Sequence, residues 1–326
     1  FSFPPAVIMI EVSHLTKRYG RVVALDSISF TAHPGEILGF LGPNGAGKTT
    51  TMRILTGYMP PTSGQAAVAG FDVVEQSLDV RRHVGYMPET VPLYRDMTVR
   101  GYLDFMAQIH GVKNRRAQID DALELVGMAD RARSLIRSLS KGMRQRVGLA
   151  QAIVHDPEVL ILDEPTIGLD PHQVQDVRAL VRELGKTRTV LLSTHILSEA
   201  EQICDRVIIL DRGRIVAVDT PDHLRDRLQR GARLYIRVGG RADRREIARL
   251  LGAVAGVTSV ESHTDGYIIR VNPGSEVRPA LAAAVVSHGL ELLELRPWAI
   301  TLEDIFLELT TRLDEPAPQV GGKHRA

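Results

Sequence analysis

Gly42-Pro-Asn-Gly-Ala-Gly-Lys-Thr49 is the stretch from which this chain is best read. It fits G-x-x-x-x-G-K-T, a loop in which glycines let backbone N–H groups turn inward around phosphate oxygens. The loop lies between Gly35-Glu-Ile-Leu-Gly-Phe-Leu41, which reads as a short buried strand, and Thr49-Thr-Thr-Met-Arg-Ile-Leu55, which suits a helix. Strand, loop and helix in that order aim the partial positive charge of a helix N-terminus at the phosphates. Lys48 is placed to reach the β and γ phosphates, and the Thr49 hydroxyl to ligate magnesium.

Further along, Val159-Leu-Ile-Leu162 reads as a second buried strand, and Asp163-Glu164 follow it directly. Two carboxylates at the end of an apolar strand sit near the edge where a parallel sheet binds its ligand. Asp163 suits the magnesium shell. Glu164 suits the general base that accepts a proton from, or orients, the water attacking a γ-phosphate. Thr189-Val-Leu-Leu-Ser193 is a third strand, reached through an amphipathic segment carrying Val174, Val177, Val181 and Leu184. Such alternation of helix and strand implies an α/β fold with a parallel sheet. Val207–Leu210 and Arg214–Val218 flank Asp211-Arg-Gly213, a loop short enough to close a hairpin.

Between Pro88 and Pro157 the pattern turns helical, including Thr98 to His110 closed by Gly111, and reads as an insertion over about 89–157. After about residue 231, strand-like Leu234–Val238, Val257–Glu261, Tyr267–Val271 and Leu290–Leu295 alternate with helical Asp243–Leu251 and Glu276–Ser287. That β-α-β-β-α-β order implies a small α+β ferredoxin-like domain. The expected organisation is an apolar extension over 1–8, a phosphate-binding domain over 9–230, an accessory domain over 231–312 with a last helix Leu302–Leu309, and a disordered polar tail over 313–326.

Composition removes several function classes. The chain has 326 residues, 40 Lys+Arg against 39 Asp+Glu, 44% hydrophobic residues and one cysteine. A net charge of +1 gives no global basic field for nucleic acid, so phosphate contact must be local. No apolar stretch reaches the roughly 18 residues of a spanning helix. Cys204, being single, forms no internal disulfide. Arg241, Arg244, Arg245 and Arg249 are interleaved with Asp243 and Glu246 and read as a solvated helix face. His14, His83, His110 and His263 are scattered without metal-ligand spacing.

From about Ile10 to Val218 the chain resembles the ATP-binding subunits of ABC transporters. Beside the phosphate loop and the paired carboxylates, Leu139-Ser-Lys-Gly-Met143 resembles the family signature, usually L-S-G-G-Q, and leads into a helix at Arg144-Gln-Arg146. The resemblance implies a P-loop NTPase (RecA-like) core with an antiparallel β subdomain and a helical insertion. It also assigns further residues. Tyr19 matches the aromatic that stacks on adenine. Gly42, Pro43, Asn44, Gly45, Ala46, Gly47, Lys48, Thr49 and Thr50 hold the phosphates. Ser140, Gly142 and Asp170, the last in Gly168-Leu-Asp170, face the nucleotide across a dimer interface. His195 matches the switch histidine that contacts the γ-phosphate and the attacking water. Glu89 stands where the family commonly has glutamine, so Thr49, Glu89 and Asp163 are the implied magnesium contacts. Met143 in place of the signature glutamine removes a side-chain amide.

One chain carries one phosphate loop and one signature, while a complete site in this family takes the loop of one subunit and the signature of another. The resemblance therefore implies an ATPase that works as a head-to-tail homodimer with ATP and Mg2+ at its interface. It would sit at the cytoplasmic face of the cell membrane, coupled to separate integral-membrane permease subunits. The groove near Glu89, Tyr94, Met97 and Thr98 would receive the permease. Trp298-Ala-Ile-Thr-Leu-Glu-Asp-Ile-Phe306 resembles the appended segment of exporter subunits of drug-resistance and gliding-motility-associated types, with a dimer-stabilising or regulatory role. The rival reading is a soluble ABC ATPase acting on ribosomes or nucleic acid. Relatives of that kind usually carry two cassettes or long coiled coils, whereas this sequence has one cassette, no sustained heptad run and balanced charge.

Overall fold

The computed structural model describes residues 8–224, 233–240, 242–272 and 275–298. They fall into two units that divide between Pro221 and Asp222. The expected helix Leu302–Leu309, the tail, and nearly all of the extension and of the Trp298–Phe306 segment lie outside the described residues.

In the first unit the strands are β1 (Ile10–Tyr19), β2 (Val22–Ala32), β3 (Ile37–Leu41), β4 (Ser63–Val68), β5 (Phe71–Asp72), β6 (Val84–Met87), β7 (Val159–Asp163), β8 (Thr189–Thr194), β9 (Arg206–Asp211) and β10 (Arg214–Asp219). The helices are α1 (Lys48–Leu55), α2 (Ser77–His83), α3 (Val99–Ile109), α4 (Arg115–Leu125), α5 (Lys141–Ile153), α6 (Pro171–Gly185) and α7 (Leu197–Ile203). One sheet has the order β10-β9-β3-β8-β7-β6, parallel except for the β9–β10 hairpin, in which Arg214 pairs with Asp211. Every residue of β3, β7 and β8 is buried, which is why these strands read as unbroken apolar runs rather than alternating ones. A second, antiparallel sheet has the order β2-β1-β4-β5.

The main core joins the two sheets through α1. Met52, Ile54 and Leu55 of that helix cluster with Leu25, Ile28 and Phe30 of β2 and with Leu38, Phe40, Ile161, Leu191 and Ile208 of the parallel sheet. Phe30 meets Phe40 edge to face at 5.1 Å. Burial of these residues fixes α1 behind the C-terminal end of β3, and that position puts the first turn of α1 at the phosphate loop. Helices α3, α4 and α5 occupy the stretch between Pro88 and Pro157, with the Thr98 hydroxyl accepting from Gly101 N at 3.1 Å to cap α3. Helix α5 begins at Lys141, a turn earlier than the Arg144 start read from the sequence, because Ser140 caps it.

The second unit contains β11 (Arg233–Gly239), β12 (Val257–Ser262), β13 (Tyr267–Val271) and β14 (Glu291–Pro297), with helices Arg244–Gly252 and Arg278–Ser287. All pairings are antiparallel, in the order β12-β13-β11-β14. This is the ferredoxin-like arrangement that the β-α-β-β-α-β order implies. Its own core holds Leu234, Ile236, Ile247, Leu251, Ile269, Val271, Leu281 and Val285.

Candidate active site

A cleft of about 570 Å³ opens beyond the C-terminal ends of β3, β7 and β8, lined by Pro43, Asn44, Gly45, Gly47, Lys48, Thr49, Thr50, Glu89, Glu164 and His195, with Ala24 and Ile167. Ten of the residues singled out in the sequence thus converge on one space. Gly42 and Ala46 belong to the same loop but are buried beneath it. The loop needs glycine at particular places. Gly47 has φ 110, and a Cβ there would lie 2.6 Å from Leu25 Cδ2 and 2.7 Å from the Ala24 carbonyl. A Cβ on Gly42 would lie 2.3 Å from the Leu210 carbonyl, so strand β9 passes too close for any side chain.

Lys48 is buried, and its Nζ donates to the carbonyl of Gly42 at 2.7 Å while standing 3.5 Å from Glu164 Oε1. The other carboxylate oxygen of Glu164 lies 2.8 Å from His195 Nδ1, and His195 is the exposed member of that pair. Glu164 leaves β7 in a left-handed conformation, φ 49, which costs a non-glycine residue on the order of 1–3 kcal/mol. Its backbone N donates to Ser193 Oγ at 3.0 Å, and Ile167 N donates to its carbonyl at 3.1 Å. Packing and these bonds hold the strained residue so that its carboxylate faces the cleft.

Ser193 reads in the sequence only as the end of the third strand, with no role at the site. Its hydroxyl, besides accepting from Glu164 N, donates to Asp163 Oδ1 at 2.6 Å. The available signal was a polar residue at the cleft end of an apolar strand. Asp163 is buried, and its Oδ2 has no hydrogen-bond partner among the described residues. An orphaned anionic oxygen beneath the phosphate loop fits a hard cation, the chemistry of magnesium. Tyr86 lies nearby at the end of β6. Burial pushes its phenol up to about 12, Asp163 adds to the shift, and Arg53 opposes it.

The remaining sequence-derived residues lie outside this cleft. Tyr19 is exposed, with its hydroxyl 3.1 Å from Met59 Sδ and Lys17 Nζ 5.5 Å from the ring centroid. Ser140 caps α5 by accepting from Met143 N at 3.3 Å. Asp170 caps α6 by accepting from Gln173 N at 3.0 Å. The Gln173 side chain covers Gly142, and Lys141 Nζ lies against Gly168. The signature segment and the Gly168-Leu-Asp170 loop therefore touch within one protomer.

Over 303 residues the chain is 37% identical to the bacitracin transport ATP-binding protein BcrA of Bacillus licheniformis, covering 92% of this chain and 97% of the relative. The chain belongs to the ABC transporter family. A profile of that family, described as ABC transporter, matches residues 25–167. This ABC protein is also 37% identical to the daunorubicin resistance ATP-binding protein DrrA3 of Streptomyces coeruleorubidus, over 92% of this chain and 95% of the relative. It is 34% identical to a Nod factor export ATP-binding protein of Rhizobium etli, over 93% of each chain. Among solved structures, the ATP-binding subunit of an ABC transporter superposes with a TM-score of 0.62 at 33% identity, over 68% of this chain and 93% of the other. A dimeric ATP-binding cassette bound to ADP and Pi shares the fold at 23% identity, with a TM-score of 0.60 over 65% of this chain and 98% of that one. The chain is thus an ABC ATP-binding domain and an ATPase by family, and its relatives serve resistance and export.

Proposed function

We propose that this chain powers export through a separate membrane permease, by ATP-driven closure of two copies and hydrolysis of the nucleotide between them. The convergence of Lys48, Glu164 and His195 within hydrogen-bonding and ion-pair range, beside Thr49 on the first turn of α1, carries this reading. Lys48 and the loop N–H groups would hold the β and γ phosphates, with Thr50 beside them. Glu164 would take the proton of the attacking water, and His195 would orient that water and the γ-phosphate. Thr49 and Asp163, with Glu89 at the rim, would hold magnesium, which neutralises phosphate charge when bound. Tyr19 would stack on the adenine.

Ser140 and Gly142 do not line the cleft of their own chain, which supports a site completed by a second copy. The α5 N-terminus, capped by Ser140, would then meet the partner's γ-phosphate, with Asp170 beside it. Among the described residues no helix is long and apolar enough to cross a membrane, and the family supports a separate spanning partner. Exposed Tyr94, packed on Tyr102 and Phe105 in the expected permease region, supplies apolar surface for that partner, and exposed Tyr58, Leu78 and Ile109 line a separate groove of about 510 Å³ that adds to it, whereas Glu89 lines the nucleotide cleft. The names of the relatives, bacitracin transport, daunorubicin resistance and Nod factor export, support outward transport.

The test is Glu164→Gln. ATP affinity should stay within a few-fold of wild type, turnover should fall by about 10²–10⁴-fold, and an ATP-dependent dimer should accumulate in light scattering. Wild-type turnover would remove Glu164 from the mechanism, and a strictly monomeric variant with saturating ATP and permease would remove the shared site.

A further inference from the structure

We propose that Glu199 is a positioning residue that sets the distance between Glu164 and His195 by pinning together the two loops that carry them. Glu199 lies in the first turn of α7 and is 2% exposed. One oxygen, Oε2, accepts from Thr166 Oγ1 at 2.7 Å and from Thr194 Oγ1 at 3.1 Å. The other, Oε1, stands 3.6 Å from Arg178 Nη2 on α6. The two hydroxyls come from the ends of different strands. Thr166 is two residues beyond Glu164 in the loop leaving β7, and Leu169 N donates to its carbonyl at 3.2 Å. Thr194 is the last residue of β8 and immediately precedes His195, and its Oγ1 accepts from Ile196 N at 3.0 Å.

A buried carboxylate is costly unless its lone pairs are met, so these partners are a condition for Glu199 being there at all. Its location also tells against a chemical role, because it does not line the cleft. What it joins are the two backbones whose side chains meet at 2.8 Å between Glu164 Oε2 and His195 Nδ1. Strands β7 and β8 are neighbours, but their ladder ends at Asp163↔Ser193, one residue short of Glu164. Beyond that point Ser193 Oγ holds the Glu164 backbone, and Glu199 holds the far side of both loops. Rotation of either loop would therefore move the base relative to the histidine. A misplacement of about 1 Å at a reacting group can cost on the order of 10²-fold in rate.

This inference rests on the assignment of Glu164 and His195 to hydrolysis. It predicts that Glu199→Ala, and the double variant Thr166→Val with Thr194→Val, lower kcat by about 10–100-fold while KM for ATP stays within about two-fold. The acidic limb of the kcat–pH profile should move in both. Thr166→Ser with Thr194→Ser keeps both hydroxyls and should restore kcat and the profile. Combining Glu199→Ala with the valine pair should cost no more than either alone, because all act on one joint. Should Glu199→Ala fail to fold, the valine and serine pairs carry the same comparison. A lowered melting temperature with wild-type kcat and pH profile, or a serine pair as impaired as the valine pair, overturns the proposal. If Glu164→Gln is inactive while these variants turn over normally, the pin fails and the base assignment stands. If Glu164→Gln itself turns over normally, the base assignment is what fails.

Discussion

Lys48 Nζ stands 3.5 Å from Glu164 Oε1, with both side chains less than a tenth exposed. The ammonium that would bind the γ-phosphate is therefore also the counter-charge of the carboxylate that would activate water. Lys48→Ala should lose phosphate attraction and leave the buried Glu164 carboxylate without its ammonium counter-charge, with His195 Nδ1 still 2.8 Å away. Nucleotide affinity should fall at least about ten-fold, and stability by something of order 3 kcal/mol, the usual consequence of breaking a buried pair. Titration with a fluorescent nucleotide and thermal melting measure the two effects. Wild-type affinity in this variant is incompatible with a phosphate-binding Lys48.

Ser193 joins the backbone of Glu164 to the side chain of Asp163. Ser193→Ala leaves a buried N–H without an acceptor and Asp163 with neither oxygen paired. The unmade bonds should cost about 1–3 kcal/mol. Turnover should drop at least about ten-fold, because the left-handed turn at Glu164 loses one of the bonds holding it. Steady-state ATPase rates at several magnesium concentrations check this, and an unchanged rate would show that the strand pairing alone holds Glu164.

Gly45 and Gly47 sit two residues apart in the phosphate loop, both with positive φ, yet they should respond differently to substitution. A Cβ on Gly45 meets nothing within 4 Å, whereas one on Gly47 runs into Leu25 and the Ala24 carbonyl. Gly45→Ala should cost only the backbone strain of about 1–2 kcal/mol. Gly47→Ala adds a clash that shifts the loop away from β2, so both the melting temperature and nucleotide binding should suffer more. Equal losses in the two variants would show that strain, not space, sets the requirement.

The sequence was most legible where one cause acts alone. Apolar runs such as Val159–Leu162 and Thr189–Ser193 can be buried only as central strands, and β7 and β8 follow them to within a residue. The phosphate loop fixes its own context, so Lys48 and Thr49 fell where the motif puts them. Less legible were β1 and β2. Their pairing shifts register between Val12 and Leu15 and again by Lys17, and His14 and Ser27 take positive φ. Each bulge flips the side that later residues face, which erases the alternation that marks a half-buried strand. The site roles of Ser193, Thr166, Thr194 and Glu199 are illegible for another reason. Their hydrogen bonds join residues up to 33 positions apart, and hydroxyls at strand ends carry no periodic or motif signal.

His110 and His155 stack with ring centroids 3.8 Å apart and planes 12° from parallel, between α3 and α5 of the helical stretch. His155 Nε2 lies 3.2 Å from the Val84 carbonyl, so that nitrogen carries the proton of the neutral ring. Burial holds both imidazoles below their ordinary value. For His155 the result is about 4, burial being the largest cause and His110 the next. The unfolded chain, with His155 near 6.5, therefore binds more protons than the folded one between about pH 6.5 and 4. Stability is full above that window and is lost as pH falls through it, by at most about 3 kcal/mol for His155. The stack borders the groove lined by Tyr58, Leu78, Arg81, Arg82 and Ile109, so acidification should loosen the surface proposed for the permease. Melting temperatures of wild type and His155→Phe, measured between pH 7.5 and 4.5, should diverge progressively, with the wild type falling more steeply. Parallel curves would mean that His155 is solvated in the folded protein, and the pH dependence would then belong to the carboxylates.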